Sequence, residues 1–366
     1  MKKSIMALGV SAALLTGPAF AHNDHDSDRI PQLDHVFLIM MENHAYGQII
    51  GNADAPFLNQ MAQSANLATN YFGVGHPSLT NYLETVGGSN FGITNDNYPN
   101  WHYATPSPSL NDPISGAGID AETPAAIAPF NVDIPAAPYV GETIADQLVA
   151  ANKSWKSYQE SLPASGADNV NLSDGDFSNL DAVSGVQKLY AVKHNPFVYF
   201  ANVQANTDPN NGFNNSVGFD GLNGLYADLG SGKVPNFSFI APTQCHDMHG
   251  AGGGSPLCSD GSALIQAGDG TVQKLVTSIK DSKAWKHGKN AIVVMWDEND
   301  FGSEPNQVVT IVDTNYGTHG VSSNAPYSHF SLLKTLEAGF ELPCLNHACD
   351  ANVKVMADMF QNARRH

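Results

Sequence analysis

The chain has 366 residues, 42% of them hydrophobic, and a formal net charge of −18 at pH 7. This length suits one large α/β domain with insertions, and no internal repeat is apparent. The acidic excess argues against nucleic acid or an anionic membrane surface as a partner, and it is compatible with binding of hard cations.

The first residues predict an export signal. Two lysines precede an apolar run over residues 5–15, and the small residues Ala19 and Ala21 fit a cleavage site. We therefore expect a signal peptide over residues 1–21, a flexible tail over residues 22–34, and a periplasmic or secreted protein without a membrane anchor.

The four cysteines are an even number, as expected for a protein of an oxidising compartment. Their grouping suggests one disulfide between Cys245 and Cys258 and another between Cys344 and Cys349, although three pairings are possible. Zinc ligation competes with this interpretation, but the spacings fit no common zinc module. We expect residues 344–366 to form a disulfide-stapled tail.

The first predicted strand is the apolar run His35–Met41, which has the pattern of a strand buried on both faces of a parallel sheet. It ends at Glu42 and Asn43, where open α/β sheets bind ligands. A predicted helix over residues 54–65 and a predicted strand over residues 67–72 follow.

The stretch over residues 75–88 places His76, Ser78 and Thr80 just before or at the start of a predicted helix. The exposed N–H groups and the dipole of a helix N-terminus favour a phosphate, so a hydroxyl there would face the phosphorus. The alternative is an ordinary Ser or Thr helix cap.

Two stretches of about residues 89–140 and 165–190 lack regular periodicity and predict insertions. Between them we predict a helix over residues 141–151 and a strand over residues 154–158. His194 precedes a short apolar run, and it is either a site residue or a turn histidine.

A buried strand is predicted over residues 236–241, and it leads into the segment Cys245–Gly250. His246, Asp247 and His249 of this loop could ligate a metal, transfer protons or bind phosphate. The loop therefore adds a second group of candidate site residues after a strand end.

The remaining predicted elements are a helix over residues 271–280, strands over residues 291–296 and 307–313, and a helix over residues 328–339. The apolar strand over residues 291–296 delivers Asp297 and Glu298. His329 lies in the first turn of the last helix, where a helix-surface histidine is the alternative to a site residue. The alternation of strands and helices predicts an α/β domain with a mostly parallel central sheet, helices on both faces and long loop insertions.

Three carboxylates and one amide would meet at one edge of this sheet, from Glu42, Asn43, Asp297 and Glu298. Like charges at close range are costly unless a cation joins them. Oxygen ligands suit Ca²⁺, Mg²⁺ or Mn²⁺ better than Zn²⁺. A cation there could activate a neighbouring hydroxyl and stabilise a transferring phosphoryl group.

Several motifs together resemble the phosphoesterase family of bacterial acid phosphatases and phospholipases C, whose core is similar to that of the alkaline phosphatase superfamily. They are Met41-Glu42-Asn43, His76-Pro77-Ser78-Leu79-Thr80-Asn81-Tyr82, His194-Asn195-Pro196-Phe197, Asp247-Met248-His249, Asp297-Glu298 and Ser328-His329. The resemblance runs from about His35 to Leu342, so we expect a phosphoesterase domain over residues 35–343.

The resemblance implies metal-supported phosphoester hydrolysis through a phosphoserine. Glu42, Asn43, Asp297 and Glu298 would hold a metal, with Ser78 as both a ligand and the nucleophile. We place Asn81, Asp247 and Thr80 among the substrate-binding residues. The histidines that would bind phosphoryl oxygens or protonate the leaving alkoxide are His249, His76, His194 and His329.

The family has Pro where this chain has Thr80. The Thr80 hydroxyl is therefore a second candidate besides the Ser78 hydroxyl. The substrate is a phosphorylated small molecule or a phospholipid, and the short C-terminal region favours a phosphatase over a phospholipase C. A Ser-His-Asp acyl hydrolase would lack its usual Gly-x-Ser-x-Gly turn. A non-catalytic exported binding protein for a phosphorylated ligand is the third possibility, and the oligomeric state is open.

Overall fold

The computed structural model describes residues 30–93, 96, 141–162, 172–174, 188–251, 258–302 and 305–361. The predicted signal peptide lies outside the described residues. So do most residues of the two predicted insertions.

The polypeptide forms twelve strands and nine α-helices within the described residues. The strands are β1 (His35–Met41), β2 (Asn66–Ala68), β3 (Tyr71–Phe72), β4 (Trp155–Gln159), β5 (Leu172–Ser173), β6 (Tyr190–Ala191), β7 (Ser216–Val217), β8 (Phe237–Ala241), β9 (Asn290–Trp296), β10 (Thr310–Thr314), β11 (Ser322–Ser323) and β12 (Tyr327–Ser328). The helices are α1 (Tyr46–Ile49), α2 (Pro56–Ser64), α3 (Ser78–Gly87), α4 (Ile144–Ala150), α5 (Ala201–Ala205), α6 (Leu225–Ser231), α7 (Gly261–Asp281), α8 (His329–Phe340) and α9 (Ala357–Phe360).

The central sheet has eight strands in the order β11-β2-β10-β9-β1-β8-β4-β7. Strand β10 is antiparallel to both of its neighbours, and every other neighbouring pair is parallel. Helices α3, α4 and α8 pack together, and α7 packs with α2 and α6. The predicted α/β fold with a mostly parallel central sheet is therefore confirmed.

The register of the sheet aligns the ends of its central strands. Met41 at the end of β1 pairs with Trp296 at the end of β9. Both strands are buried along nearly their whole length because they lie in the middle of the sheet. The polar residues that follow Met41 and Trp296 are consequently delivered to the same edge of the sheet.

Helix α7 is longer than the predicted helix over residues 271–280. Its first half contains Gly268, where a Cβ atom would come within 2.5 Å of the Met248 side chain, so the glycine permits a close approach to the loop after β8. The neighbouring Asp269 accepts hydrogen bonds from the backbone N–H groups of Phe57 and Leu58 at the start of α2.

Residues 67–72 do not form one strand as predicted. Strand β2 pairs with β10 and β11, whereas β3 pairs with β12 in a separate two-stranded sheet. The backbone changes partners between Ala68 and Tyr71, and this change interrupts the strand. Similarly, β10 begins at Thr310, while the earlier Gln307 makes an isolated bridge to Phe72.

The four cysteines form the two disulfides that their grouping suggests, Cys245–Cys258 and Cys344–Cys349. The first one ties the loop after β8 to the residues just before α7. Across the described parts of the chain, none of the helices combines the length and the apolar character needed to span a bilayer.

Candidate active site

Ser78 is the first residue of α3 and is 1% exposed. Helix α3 starts after Pro77 and ends at Gly87. The following Gly88 has a left-handed backbone (φ +69°) and a close contact with the Leu345 carbonyl, and both require a residue without a Cβ. The helix N-terminus therefore holds the Ser78 hydroxyl at the edge of the sheet.

The Ser78 hydroxyl lies between two carboxylates. Its Oγ is 3.0 Å from Glu42 Oε2, after β1, and 3.0 Å from Glu298 Oε1, after β9. A hydroxyl has only one hydrogen, so it donates to one carboxylate at a time. Two buried carboxylates are thus in position to accept the proton of Ser78.

The carboxylates of Glu42, Asp297 and Glu298 form a compact acidic group, with one oxygen of each lying within 4.8 Å of the others. Asp297 Oδ2 and the nearby Asn43 Oδ1 are buried oxygens without a hydrogen-bond partner. Burial, together with the charge of Glu42, holds the pKa of Asp297 and of Glu298 well above the usual range. Unpartnered oxygens and uncompensated negative charge fit a hard divalent cation.

The backbone supports this arrangement. Asn43 adopts a left-handed conformation with φ +54°, which asparagine tolerates better than most residues. Its N–H lies 3.3 Å from Asp297 Oδ1, and the Asp297 N–H donates to the Met41 carbonyl. The ends of β1 and β9 are thereby joined at the residues that carry the oxygens.

His194 forms a second charged group with Glu42 and Asp247. Its Nε2 lies 2.9 Å from Glu42 Oε1, and its Nδ1 lies 3.2 Å from Asp247 Oδ2. Burial opposes the charge of the imidazole, but Glu42 and Asp247 outweigh it and raise the pKa of His194 to about 9. The Tyr82 ring stacks on the imidazole with an interplanar angle of 8° and fixes its orientation. A charged His194 offsets one of the two negative charges of this group.

The loop after β8 presents His249 to the same site. Its backbone N–H donates to Asp247 Oδ1, and its Nδ1 lies 2.7 Å from the Gly250 carbonyl oxygen. A carbonyl can only accept, so Nδ1 carries the proton and Nε2 accepts a hydrogen bond from Lys193 at 3.0 Å. Burial, followed by the charge of Lys193, lowers the pKa of His249.

His76 and Asn81 contact Oε2, the Glu298 carboxylate oxygen that does not contact Ser78. His76 Nδ1 is 2.7 Å from Glu298 Oε2, and its ring stacks on Phe301 with the centroids 4.0 Å apart. Asn81 donates to the same Oε2 at 3.2 Å and to the Gly75 carbonyl at 2.8 Å. The Asn81 oxygen accepts two backbone N–H groups, so all four of its hydrogen-bonding positions are used. Asn81 would bind a phosphoryl oxygen only if one of these bonds broke.

The predicted site residues His329 and Thr80 make their hydrogen bonds away from the Ser78 hydroxyl. His329 is fully buried, its Nε2 donates to the Asp297 carbonyl at 2.6 Å, and its Nδ1 accepts from the Tyr71 hydroxyl. Burial lowers the pKa of His329 to about 4, so it stays neutral behind the strand end. The Thr80 hydroxyl donates to the Pro77 carbonyl at 2.8 Å and faces neither acidic residue beside Ser78.

Two site residues were missed by the sequence analysis, Lys193 and Asp96. Lys193 lies beside the predicted His194 in a 3₁₀ turn, and its Nζ reaches Ser78 Oγ at 3.3 Å. Asp96 lies in the predicted insertion and contacts Lys193 at 2.8 Å. Adjacency to His194 was the only local signal for Lys193, and no periodic pattern marks Asp96.

A model of the phosphoesterase family matches residues 52–343, which include Ser78, His194 and Asp297 but begin after Glu42. The chain is 28% identical to a phosphatidylinositol-3-phosphatase of Mycobacterium tuberculosis, over 95% of this chain and 92% of that protein. It is 27% identical to a phosphate-repressible acid phosphatase of Penicillium chrysogenum, over 82% of this chain and 58% of the fungal protein. The chain therefore spans less than two thirds of that fungal relative.

Solved structures share the fold at low sequence identity. A protein in the alkaline phosphatase superfamily from Vibrio parahaemolyticus aligns with a TM-score of 0.53 and 12% identity, over 92% of this chain and 75% of the other. A putative sulfatase from Bacteroides thetaiotaomicron aligns with a TM-score of 0.50 and 10% identity, over 91% of this chain and 75% of the other. At such identities the likeness concerns the fold alone.

Proposed function

The chain belongs to the phosphoesterase family and is therefore a hydrolase of phosphoric esters, and we propose that it is an exported, metal-dependent, acid-phosphatase-like enzyme that works through Ser78. The observation that carries this proposal is the position of the Ser78 hydroxyl. It stands at the N-terminus of α3, at 3.0 Å from both Glu42 and Glu298.

In the first step, the Ser78 oxygen attacks phosphorus in line with the leaving oxygen. The proton of the hydroxyl passes to one of its two carboxylate partners, Glu42 or Glu298. The bond between phosphorus and the leaving oxygen breaks as the bond to Oγ forms, which gives a phosphoserine and an alcohol. Positioning and electrostatic stabilisation supply most of the rate in such transfers.

The residues that would hold the cation are Glu42, Asn43, Asp297 and Glu298, with Ser78 beside them. When bound, a divalent cation would lower the pKa of the serine hydroxyl and offset the charge of the transferring phosphoryl group. His76 and Asn81 keep Glu298 oriented, while His329 holds the Asp297 backbone.

We assign proton transfer at the substrate to His249. Of the four predicted site histidines, it is the one that is only partly buried, so a substrate entering from solvent meets it first. Its Nε2 accepts a hydrogen bond from Lys193 in the free enzyme, so the ring must first take up a proton from solvent at Nε2, which it would then give to the leaving alkoxide. In the second step Nε2 would accept a proton from the water that attacks phosphorus, while the carboxylate that took the Ser78 proton returns it to Oγ as the bond between phosphorus and Oγ breaks. His194, held by two carboxylates and Tyr82, fixes the position of Glu42.

A phosphomonoester is the substrate class that we favour. The relatives named above are called acid phosphatase and phosphatidylinositol-3-phosphatase, and both names denote the removal of a phosphate group. A phospholipase C would instead cleave a phospholipid to release the phosphorylated headgroup. The two disulfides support export, because such bonds persist in oxidising compartments.

The test is a panel of phosphomonoesters, phospholipids and nitrophenyl acetate, each assayed with Ca²⁺, Mg²⁺, Mn²⁺ and Zn²⁺ after complete chelation. We expect metal-dependent release of inorganic phosphate. Release of a phosphorylated headgroup would establish a phospholipase C. Preference for the acetate would establish an acyl hydrolase, and stoichiometric binding of a phosphorylated ligand without turnover would establish a binding protein.

A further inference from the structure

Lys193 is a largely buried cation beside the proposed nucleophile, and the mechanism above gives it no role. Its side chain is 11% exposed. Its Nζ lies 3.3 Å from Ser78 Oγ, 3.0 Å from His249 Nε2 and 2.8 Å from Asp96 Oδ2. An ammonium group has three N–H donors, and these three neighbours account for all of them.

Asp96 joins this lysine to the start of α3. One of its carboxylate oxygens accepts the backbone N–H of Leu79 at 3.0 Å, while the other accepts from Lys193. The first turn of α3 contains no acidic residue of its own, so the anion at this helix end comes from elsewhere in the chain. The Asp96 carboxylate thus binds the N-terminus of α3 and the Lys193 ammonium group at the same time.

The two donors held by Asp96 are also the donors that a phosphoryl group needs. Backbone N–H groups at a helix N-terminus bind phosphate oxygens, and a buried lysine adds a charge-assisted hydrogen bond. Both donors adjoin Ser78, which is covalently linked to Leu79 and contacts Lys193. A phosphoryl group whose phosphorus is within reach of Ser78 Oγ would bring its non-bridging oxygens to the Leu79 N–H and to Lys193 Nζ.

We propose that Lys193 is a further catalytic residue, whose Nζ binds a non-bridging oxygen of the transferring phosphoryl group. In the free enzyme the Asp96 carboxylate takes the place of that oxygen as the acceptor of the hydrogen bond from Nζ. The inference rests on the proposed function, because it takes Ser78 as the atom that meets phosphorus. When substrate binds, its phosphoryl group then replaces the Asp96 carboxylate as the acceptor for Lys193 Nζ and the Leu79 N–H. The lysine thereby opposes the negative charge that the substrate brings towards Glu42 and Glu298.

A purely structural lysine would behave differently. In that case Asp96 would serve only to neutralise a buried charge, and loss of Lys193 would change stability without changing affinity for phosphate. The measurement must therefore report binding of the anion separately from both folding and turnover.

The test is titration calorimetry of inorganic phosphate with the metal-loaded protein, using Lys193→Met, Lys193→Arg and Asp96→Asn. Loss of one charge-assisted hydrogen bond weakens binding about tenfold or more, so we expect that loss in Lys193→Met and partial recovery in Lys193→Arg. Asp96→Asn should bind phosphate more tightly than the wild type, because it removes the competing charge.

The ion pair between Lys156 and Asp228 offers matched controls, since it has the same chemistry in another part of the fold. Lys156→Met and Asp228→Asn should leave phosphate affinity unchanged. The inference is overturned if the wild type binds no phosphate, if Lys193→Met binds it as the wild type does, or if Asp96→Asn fails to tighten binding. Should Lys193→Met not fold, the other two variants still decide. Phosphate binding without ester hydrolysis would contradict the proposed function and reduce the role of Lys193 to a contact with bound phosphate.

Discussion

The Ser78 hydroxyl lies 3.0 Å from Oε1 of Glu298, although 220 residues separate the two in the sequence. The contact joins the first turn of α3 to the end of β9. Glu42, at the end of β1, completes the arrangement from the other side. A hydroxyl at a helix N-terminus and two carboxylates at strand ends thus share one small buried volume.

Ser78→Ala should lower kcat by about a thousandfold or more, since it removes the atom that attacks phosphorus. Thr80→Val should keep most of the activity, because the Thr80 hydroxyl is bonded to the Pro77 carbonyl and is directed away from the carboxylates. Thr85→Val, on the same helix and with a similar backbone hydrogen bond, is the matched control. Steady-state kinetics would contradict this assignment if Thr80→Val were the inactive variant.

Asp297→Asn should have opposite effects on stability with and without metal. In the metal-free protein it removes a buried carboxylate with an unpartnered oxygen, so the melting temperature should rise. With metal present, the loss of a ligand should weaken metal affinity by about tenfold or more and lower the melting temperature.

Calorimetric metal titrations and thermal unfolding measure both effects. Asp313→Asn is the control, since Asp313 is paired with Lys280 and lies outside the acidic group. Unchanged metal affinity in Asp297→Asn would remove Asp297 from the ligand set.

His249→Asn should slow the release of poor leaving groups more than the release of good ones. An alkyl alkoxide needs a proton as it leaves, whereas nitrophenolate does not, so only the alkyl ester depends on the proposed proton donor. The measurement is kcat/KM for a series of phosphomonoesters of rising leaving-group pKa. An equal loss across the series would show that His249 binds the phosphoryl group but transfers no proton to the leaving oxygen.

Glu337→Gln should stabilise the protein at alkaline pH. Glu337 is 1% exposed, and its burial raises its pKa from the ordinary 4.5 to about 9, against a smaller opposing effect of the Leu345 backbone N–H. Between these two values the unfolded chain has released a proton that the folded chain retains. The unfolded state therefore binds fewer protons, and stability falls as the pH rises through this window.

The glutamine of the variant does not titrate. The stability of the variant should therefore match that of the wild type below about pH 4.5 and exceed it increasingly up to about pH 9. Thermal unfolding across this range is the measurement. Glu341→Gln, at an exposed position just after the same helix, is the control. A gain in Glu337→Gln that does not vary with pH would contradict burial as its cause.

The central strands and the gathering of carboxylates could be predicted from the sequence, because unbroken apolar runs indicate buried parallel strands. Once β1 and β9 are neighbours, Glu42 and Asp297 must lie at the same edge. Helix α7 was predicted too short, because the Gly268-Asp269-Gly270 segment resembles a break. The segment is helical because of contacts with residues far away in the chain: Gly268 makes room for Met248, and Asp269 caps α2.

The finer parts of the site depend on contacts that no local pattern encodes. Sequence spacing predicts Asn81 one turn after Ser78, but its four hydrogen bonds follow from the path of the Val74–Gly75 backbone and from Glu298. Lys193 enters the site through a 3₁₀ turn, and Asp96 enters through an insertion without periodicity. Both were missed because their partners lie far away in the chain.

The configuration at phosphorus tests the central claim most directly. A phosphomonoester made chiral with oxygen isotopes would be turned over with an alcohol as the acceptor, and the product analysed. Two in-line displacements, first by Ser78 and then by the acceptor, predict net retention of configuration. Net inversion would mean that the acceptor attacks the substrate directly, and Ser78 would not be the nucleophile.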